Sequence, residues 1–140
     1  MTSIDPNIWG PHFWTTLHFI ASAYDDNPNQ SVKTAMKTFI RTIPVLLPCK
    51  ECQDHAFDYI RKTDLDTAVS NRSKLFAFFV DFHNAVNTRL GKPTFSLANA
   101  INTYTFTKSR QNKGLLITLL FIFILLFLFK NKIQNILKIS

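Results

Sequence analysis

The chain has 140 residues, 46% of them hydrophobic, with six prolines, three glycines and two cysteines. That length suits one domain, and that composition excludes a disordered, collagen-like or disulfide-dense chain. The formal charge of +7 is unevenly placed: residues 1–107 hold ten Lys or Arg against nine Asp or Glu, while residues 108–140 hold six basic residues and no acid. The basic excess therefore belongs to the tail, and no nucleic-acid partner is expected for the body of the chain.

The spacing of Trp9, Phe13, Leu17, Ile20, Ala21 and Tyr24 predicts a first helix, ended by the turn residues Asp25-Asp26-Asn27-Pro28. Ser31 is the expected N-cap of a second helix with the stripe Val32, Met36, Phe39, Ile40 and Ile43, broken at Pro44 to Pro48. A third helix is expected from near Pro48 to about Lys62. A fourth, opened by Asn71 or Ser73, carries Leu75, Phe76, Phe79, Phe82, Val86 and Leu90 and is closed by Gly91 and Pro93. Ser96 opens a short fifth with Leu97, Ile101 and Tyr104. With no sustained alternation of period two, the fold class is all-α.

Leu115 to Phe129 is apolar except for Thr118. As a helix its fifteen residues span about 22 Å, short of a hydrocarbon core of about 30 Å. Lys130 and Lys132 can snorkel and lengthen it. The run is apolar on every side, which disfavours a core helix. The chain is accordingly divided into a domain over 1–107, a basic linker over 108–114, a C-terminal transmembrane helix over 115–132 and a tail over 133–140. Three basic residues flank each side, so charge does not choose an orientation. Post-translational insertion would leave residues 1–107 facing the cytosol.

The two cysteines stand in Pro48-Cys49-Lys50-Glu51-Cys52, at a predicted helix start where free N–H groups and the helix dipole favour thiolate. Three readings compete for them: a redox-active pair, a zinc site with His55 as a third ligand, or an inert core pair. No set of strands surrounds the motif as a thioredoxin-type site requires. A redox pair on a helical scaffold needs an electron acceptor such as a flavin. Trp14 and His18 share a helix face, and His83, Asn84 and Asn87 project together beside Phe82 and Val86. Stacking rings with a few polar partners suit a flat cofactor, though each residue also fits a core role.

Trp14-Thr15-Thr16-Leu17-His18, Pro48-Cys49-Lys50-Glu51-Cys52 and His83-Asn84-Ala85-Val86-Asn87, continued by Arg89-Leu90-Gly91-Lys92-Pro93, occur in this order. Together they resemble the FAD-linked sulfhydryl oxidases of the Erv/ALR family over roughly residues 8–106. The resemblance implies a four-helix bundle plus a short fifth helix, usually homodimeric, holding FAD. It places Gly10, Trp14, His18 and Tyr24 on the flavin side of the first helix. His83, Asn84, Asn87 and Lys92 come from the fourth helix and its exit, with Lys92 near the phosphates, and Tyr104 lies against the adenine. Cys49 would exchange disulfides with a dithiol protein substrate. Cys52 would form a thiolate–flavin pair, and electrons would pass through FAD to molecular oxygen to give hydrogen peroxide.

The departures from the pattern are informative. A structural disulfide of many relatives is replaced here by Val80 and Leu97, so apolar packing is expected at that junction. No shuttle pair is present, so the donor is expected to be a separate protein such as a thioredoxin-like carrier. With its hydrophobic tail, the chain looks most like the versions encoded by large cytoplasmic DNA viruses, which make disulfides on the cytosolic face for virion membrane proteins, so a host-cell or virion membrane is expected for it. The alternative is a membrane-anchored helical interaction module with a CxxC metal site.

Overall fold

The computed structural model describes residues 3–105, 117–124 and Lys130. The chain divides into two units, Met1–Thr105 and Phe106–Ser140. The first contains α1 (Pro6–Ser22), α2 (Gln30–Leu46), α3 (Lys50–Arg61), α4 (Leu65–Ala68), α5 (Arg72–Arg89) and α6 (Leu97–Tyr104), and no strand occurs among the described residues. The all-α expectation holds, with one addition. The single-turn α4 lies between the expected third and fourth helices, started by Asp64, whose carboxylate accepts from the backbone N–H groups of Asp66 and Thr67.

Local chemistry explains the ends of the helices. Asp5 caps α1 through the Asn7 N–H, and Pro6 occupies the first turn, where its missing donor costs nothing. The α2 cap is Asn29, not Ser31: the Asn29 amide oxygen accepts from Val32 N–H at 3.0 Å. Nor does α2 break at Pro44. That proline sits in the last turn, forfeits only one intrahelical bond, and packs fully buried in the core. Asn71 caps α5 and Ser96 caps α6. Gly91 ends α5 at a φ of 65°, with Gly91 N–H donating to the Thr88 carbonyl and Lys92 N–H to the Asn87 carbonyl. This is a Schellman closure, which needs the left-handed residue that glycine supplies without strain.

The core gathers Leu17 and Ala21 of α1, Ile40 and Ile43 of α2, Ile60 of α3, and Leu75 and Phe79 of α5. Helix α1 packs along α5, α2 along α3, and α6 closes over α1 and α5. The expectation that apolar packing at Val80 and Leu97 holds the α5–α6 junction is met on one side only, since Val80 is buried but Leu97 is 44% exposed. The junction is held instead by the Asn84 side-chain amide, which donates to the Phe95 carbonyl at 2.9 Å and accepts from the Phe95 N–H at 3.1 Å.

In the second unit residues 117–124 are helical with exposed side chains. No helix among the described residues is long and apolar enough to cross a membrane. Half of the run expected to do so, over 115–132, lies outside the described residues.

Candidate active site

Cys49 and Cys52 are joined in a disulfide at the start of α3. Cys49 is the N-cap, in extended conformation, and its Sγ accepts from the Cys52 backbone N–H at 3.2 Å. A reduced Cys49 therefore meets a donor and the positive end of a helix dipole, both of which favour the thiolate. Cys52 is half-buried and packs against the apolar core.

The disulfide lies on the wall of a cavity of about 700 Å3 built between α1, the start of α3, α5 and Tyr104 of α6. Of the residues predicted from sequence, Gly10, Trp14, Cys49, Cys52, His83, Asn87, Lys92 and Tyr104 all line it. Three do not. His18 is fully buried behind the wall, where it stacks on Tyr104 with ring centroids 4.3 Å apart. Asn84 spends its amide on Phe95, as described above. Tyr24 lies beyond the end of α1, and its hydroxyl donates to the Val69 carbonyl at 3.1 Å in the core. Its backbone carbonyl accepts from Arg72 Nε, so Tyr24 fastens the end of α1 to the start of α5.

The aromatic wall is ordered by stacking. The Trp14 indole and the His83 imidazole lie face to face, with centroids 4.2 Å apart and planes within 6°. His18 Nε2 and His83 Nδ1 are 3.2 Å apart, so one ring donates and the other accepts. Burial lowers the pKa of both histidines from 6.5 to about 4. At His83 the neighbouring His18 and Lys92 charges add to that effect. Both rings are thus neutral near pH 7, and their hydrogen bond requires this of the ring that accepts. His18 Nδ1 is buried with no hydrogen-bond partner.

Lys92 Nζ donates to Asn7 Oδ1 at 3.2 Å across the cavity rim, and Asn87 Nδ2 holds the Pro93 carbonyl at 3.2 Å. Sequence reasoning missed Asn7 and Arg89, which line the cavity, and missed the role of Glu51. Arg89 Nη1 reaches Glu51 Oε1 at 2.7 Å, a pairing between residues 38 apart that no local pattern signals. The position of Glu51 inside the CxxC motif was the available clue. His55, the third ligand of the zinc reading, lies 3.5 Å from Glu51. Among the described residues no group of three or more His, Cys, Asp and Glu side chains is placed to hold a metal ion.

The site has the features a large flat cofactor needs. Its volume falls within the usual range for ligand cavities, roughly 300–1,000 Å3. Its walls are aromatic, and Lys92 brings positive charge for an anionic group. Gly10 is buried in mid-helix, yet a Cβ built on it would meet nothing within 4 Å. The cavity therefore comes right up to the α1 backbone.

A helical bundle with a dithiol pair at a helix N-terminus, on the wall of an aromatic cavity, defines a thiol–disulfide redox protein with room for a cofactor. The chain belongs to the Erv1 / Alr family, whose model matches residues 11–108. It is 54% identical over 102 residues to a protein of Invertebrate iridescent virus 3 whose name describes an FAD-linked sulfhydryl oxidase; the match covers 73% of this chain and 69% of that protein. It is 38% identical over 97 residues to the FAD-linked sulfhydryl oxidase of African swine fever virus, covering 69% and 79%. Among solved structures it resembles the FAD-binding domain of Erv1 from Saccharomyces cerevisiae. That likeness has a TM-score of 0.67 and 30% identity, and covers 72% of this chain and 94% of that one.

Proposed function

We propose that this protein is an FAD-dependent thiol oxidase that makes protein disulfides. The observation that carries the reading is the Cys49–Cys52 disulfide on the wall of the same cavity as Trp14, His83 and Tyr104. Each turnover converts two thiols and O2 into one disulfide and H2O2, so electrons and protons balance.

A substrate thiolate attacks Cys49 Sγ and breaks the Cys49–Cys52 bond, leaving a mixed disulfide and a Cys52 thiolate. The second substrate thiol then displaces Cys49 and carries away the new disulfide. The Cys52 N–H and the α3 N-terminus stabilise the Cys49 sulfur as it leaves with negative charge. Cys52, packed toward the apolar core, is assigned the cofactor-facing role and Cys49 the substrate-facing one. Gly10, Trp14, His83 and Tyr104 would hold the ring systems of FAD, and Lys92 its phosphates. Bound there, FAD supplies the two-electron acceptor that passes electrons from the dithiol to oxygen.

The test is a visible absorption spectrum of the purified protein, with oxygen uptake on adding dithiothreitol. A flavin spectrum and uptake that disappears in Cys52→Ser are expected, whereas a folded colourless protein that takes up no added FAD sinks the reading. Cys49→Ala should keep a Cys52 thiolate that adds long-wavelength absorbance to the flavin. The same band in Cys52→Ala instead would reverse the two roles.

The finer reading includes a homodimer, a separate dithiol carrier protein such as a thioredoxin-like one as electron donor, and attachment to a membrane through residues 115–132. The catalytic domain would face the cytosol, at a host or virion membrane. The second cysteine pair that a shuttle would need is absent from this sequence, and the apolar run over 115–129 supports the anchor.

A further inference from the structure

Helix α3 carries the dithiol, yet its close packing is against α2, which does not form the ring-bearing wall of the cavity. Side chains tie it to α5 near both of its ends. Near its C-terminal end, Tyr59 stacks on Phe82 with centroids 4.8 Å apart and tilts against Phe78. At its first turn, Arg89 of α5 grips Glu51, one of the two residues between Cys49 and Cys52. Among the described residues this is the only ion pair joining α3 to α5.

Stability does not explain it. The Glu51 side chain is 73% exposed and that of Arg89 27%, and pairs so exposed contribute about 0–1 kcal/mol. Leverage does. Glu51 and Tyr59 are eight residues apart, about 12 Å of helix, so a tilt of about 5° about the Tyr59 contact moves the sulfurs by about 1 Å. Displacements of that size cost up to about 100-fold in reactions that depend on close approach.

We propose that the Arg89–Glu51 ion pair is a positioning link that holds the Cys49–Cys52 turn against the α5 wall, keeping Cys52 at a working distance from the cofactor. The proposal rests on the FAD-dependent reading above. Neither side chain reacts. The electron pair and two protons still leave the two thiols as their S–S bond forms, and pass through FAD to O2.

A rival account is purely electrostatic, with Arg89 masking a carboxylate that would otherwise disfavour the neighbouring thiolates. Single and double variants of the full-length chain separate the two. If the link positions, Arg89→Ala and Glu51→Ala each lower kcat with dithiothreitol about tenfold. KM then stays within about twofold, flavin content stays at the wild-type level, and the double variant is no worse than either single, the signature of one shared interaction. Arg89→Lys, which keeps a cation within reach, recovers most of the rate.

In the flavin-free chain, amide exchange over residues 50–53 should quicken about tenfold in both alanine variants and not in Arg89→Lys. Full activity in Glu51→Ala beside a slow Arg89→Ala would overturn positioning in favour of charge masking. Loss of flavin from Arg89→Ala alone would make Arg89 a cofactor ligand instead, and unchanged exchange would refute the link outright. Should Arg89→Ala fail to fold, Glu51→Ala carries the test by itself. A wild-type protein without flavin would instead fail the underlying reading, with the exchange result still judging the link.

Discussion

Gly10 sits in the second turn of α1, where glycine costs about 0.5–1 kcal/mol against alanine, and no turn or positive φ requires it. The open space above its Cα is the compensating reason. Gly10→Ala should therefore raise the unfolding free energy of the flavin-free protein by about 0.5–1 kcal/mol. It should also weaken FAD binding by about tenfold, since a methyl group then intrudes on the cofactor. Thermal melts and flavin titration read the two effects separately, and equal FAD affinity in both proteins would remove Gly10 from the site.

His18 and His83 yield a pH prediction with a definite sign. Their folded pKa values, about 4, lie below the 6.5 of the unfolded chain. The unfolded state therefore takes up protons first as pH falls, and the stability these groups contribute is complete above about pH 6.5. It declines between pH 6.5 and 4 and is flat below. The slope is at most about 1.4 kcal/mol per pH unit for each histidine, and less for the partly exposed His83. His83→Gln should flatten this limb of the melting-temperature profile, and an unchanged profile would contradict the buried neutral pair.

Among the elements, the junction of α5 with α6 shows how one polar side chain can stand in for a covalent tie. Asn84 makes two hydrogen bonds to the Phe95 backbone, and each is worth about 1 kcal/mol net. Asn84→Ala should cost about 2 kcal/mol of stability in the flavin-free protein, measured by urea denaturation. A residue engaged only with cofactor would show no loss there. The histidine–asparagine motif was legible in the sequence as a polar face of a helix. Which of its two asparagines faces the cavity was not, because Asn84 and Asn87 differ only in what the chain beyond Gly91 brings back to them. Tyr24 failed to reach the cavity for a related reason. It continues the apolar stripe of α1, but the helix ends at Ser22, so helical spacing no longer sets its direction.

For the whole molecule, a cofactor bound only by the folded state stabilises it by mass action, about 2.7 kcal/mol at a free concentration 100 times Kd. Added FAD should therefore raise the melting temperature of the flavin-free protein in a concentration-dependent way that Trp14→Ala diminishes. A melting temperature indifferent to FAD would argue against the cavity as its site. Membrane attachment is tested by flotation with liposomes. The full chain is expected to float and a version ending at Thr105, the edge of the first compact unit, to remain in solution. Equal behaviour of the two would exclude residues 106–140 as an anchor.

The sequence by itself determined the all-α class, most helix limits, the CxxC pair at a helix start and the apolar run over 115–129. These follow from spacing, capping and composition, which act within a few residues along the chain. Only the tertiary structure decided that α1, α3 and α5 share one cavity, that His18 hides behind its wall while His83 lines it, and that Arg89 reaches Glu51. Such contacts join residues tens of positions apart, and their selection depends on how whole helices pack. A single sequence carries no local signal for that.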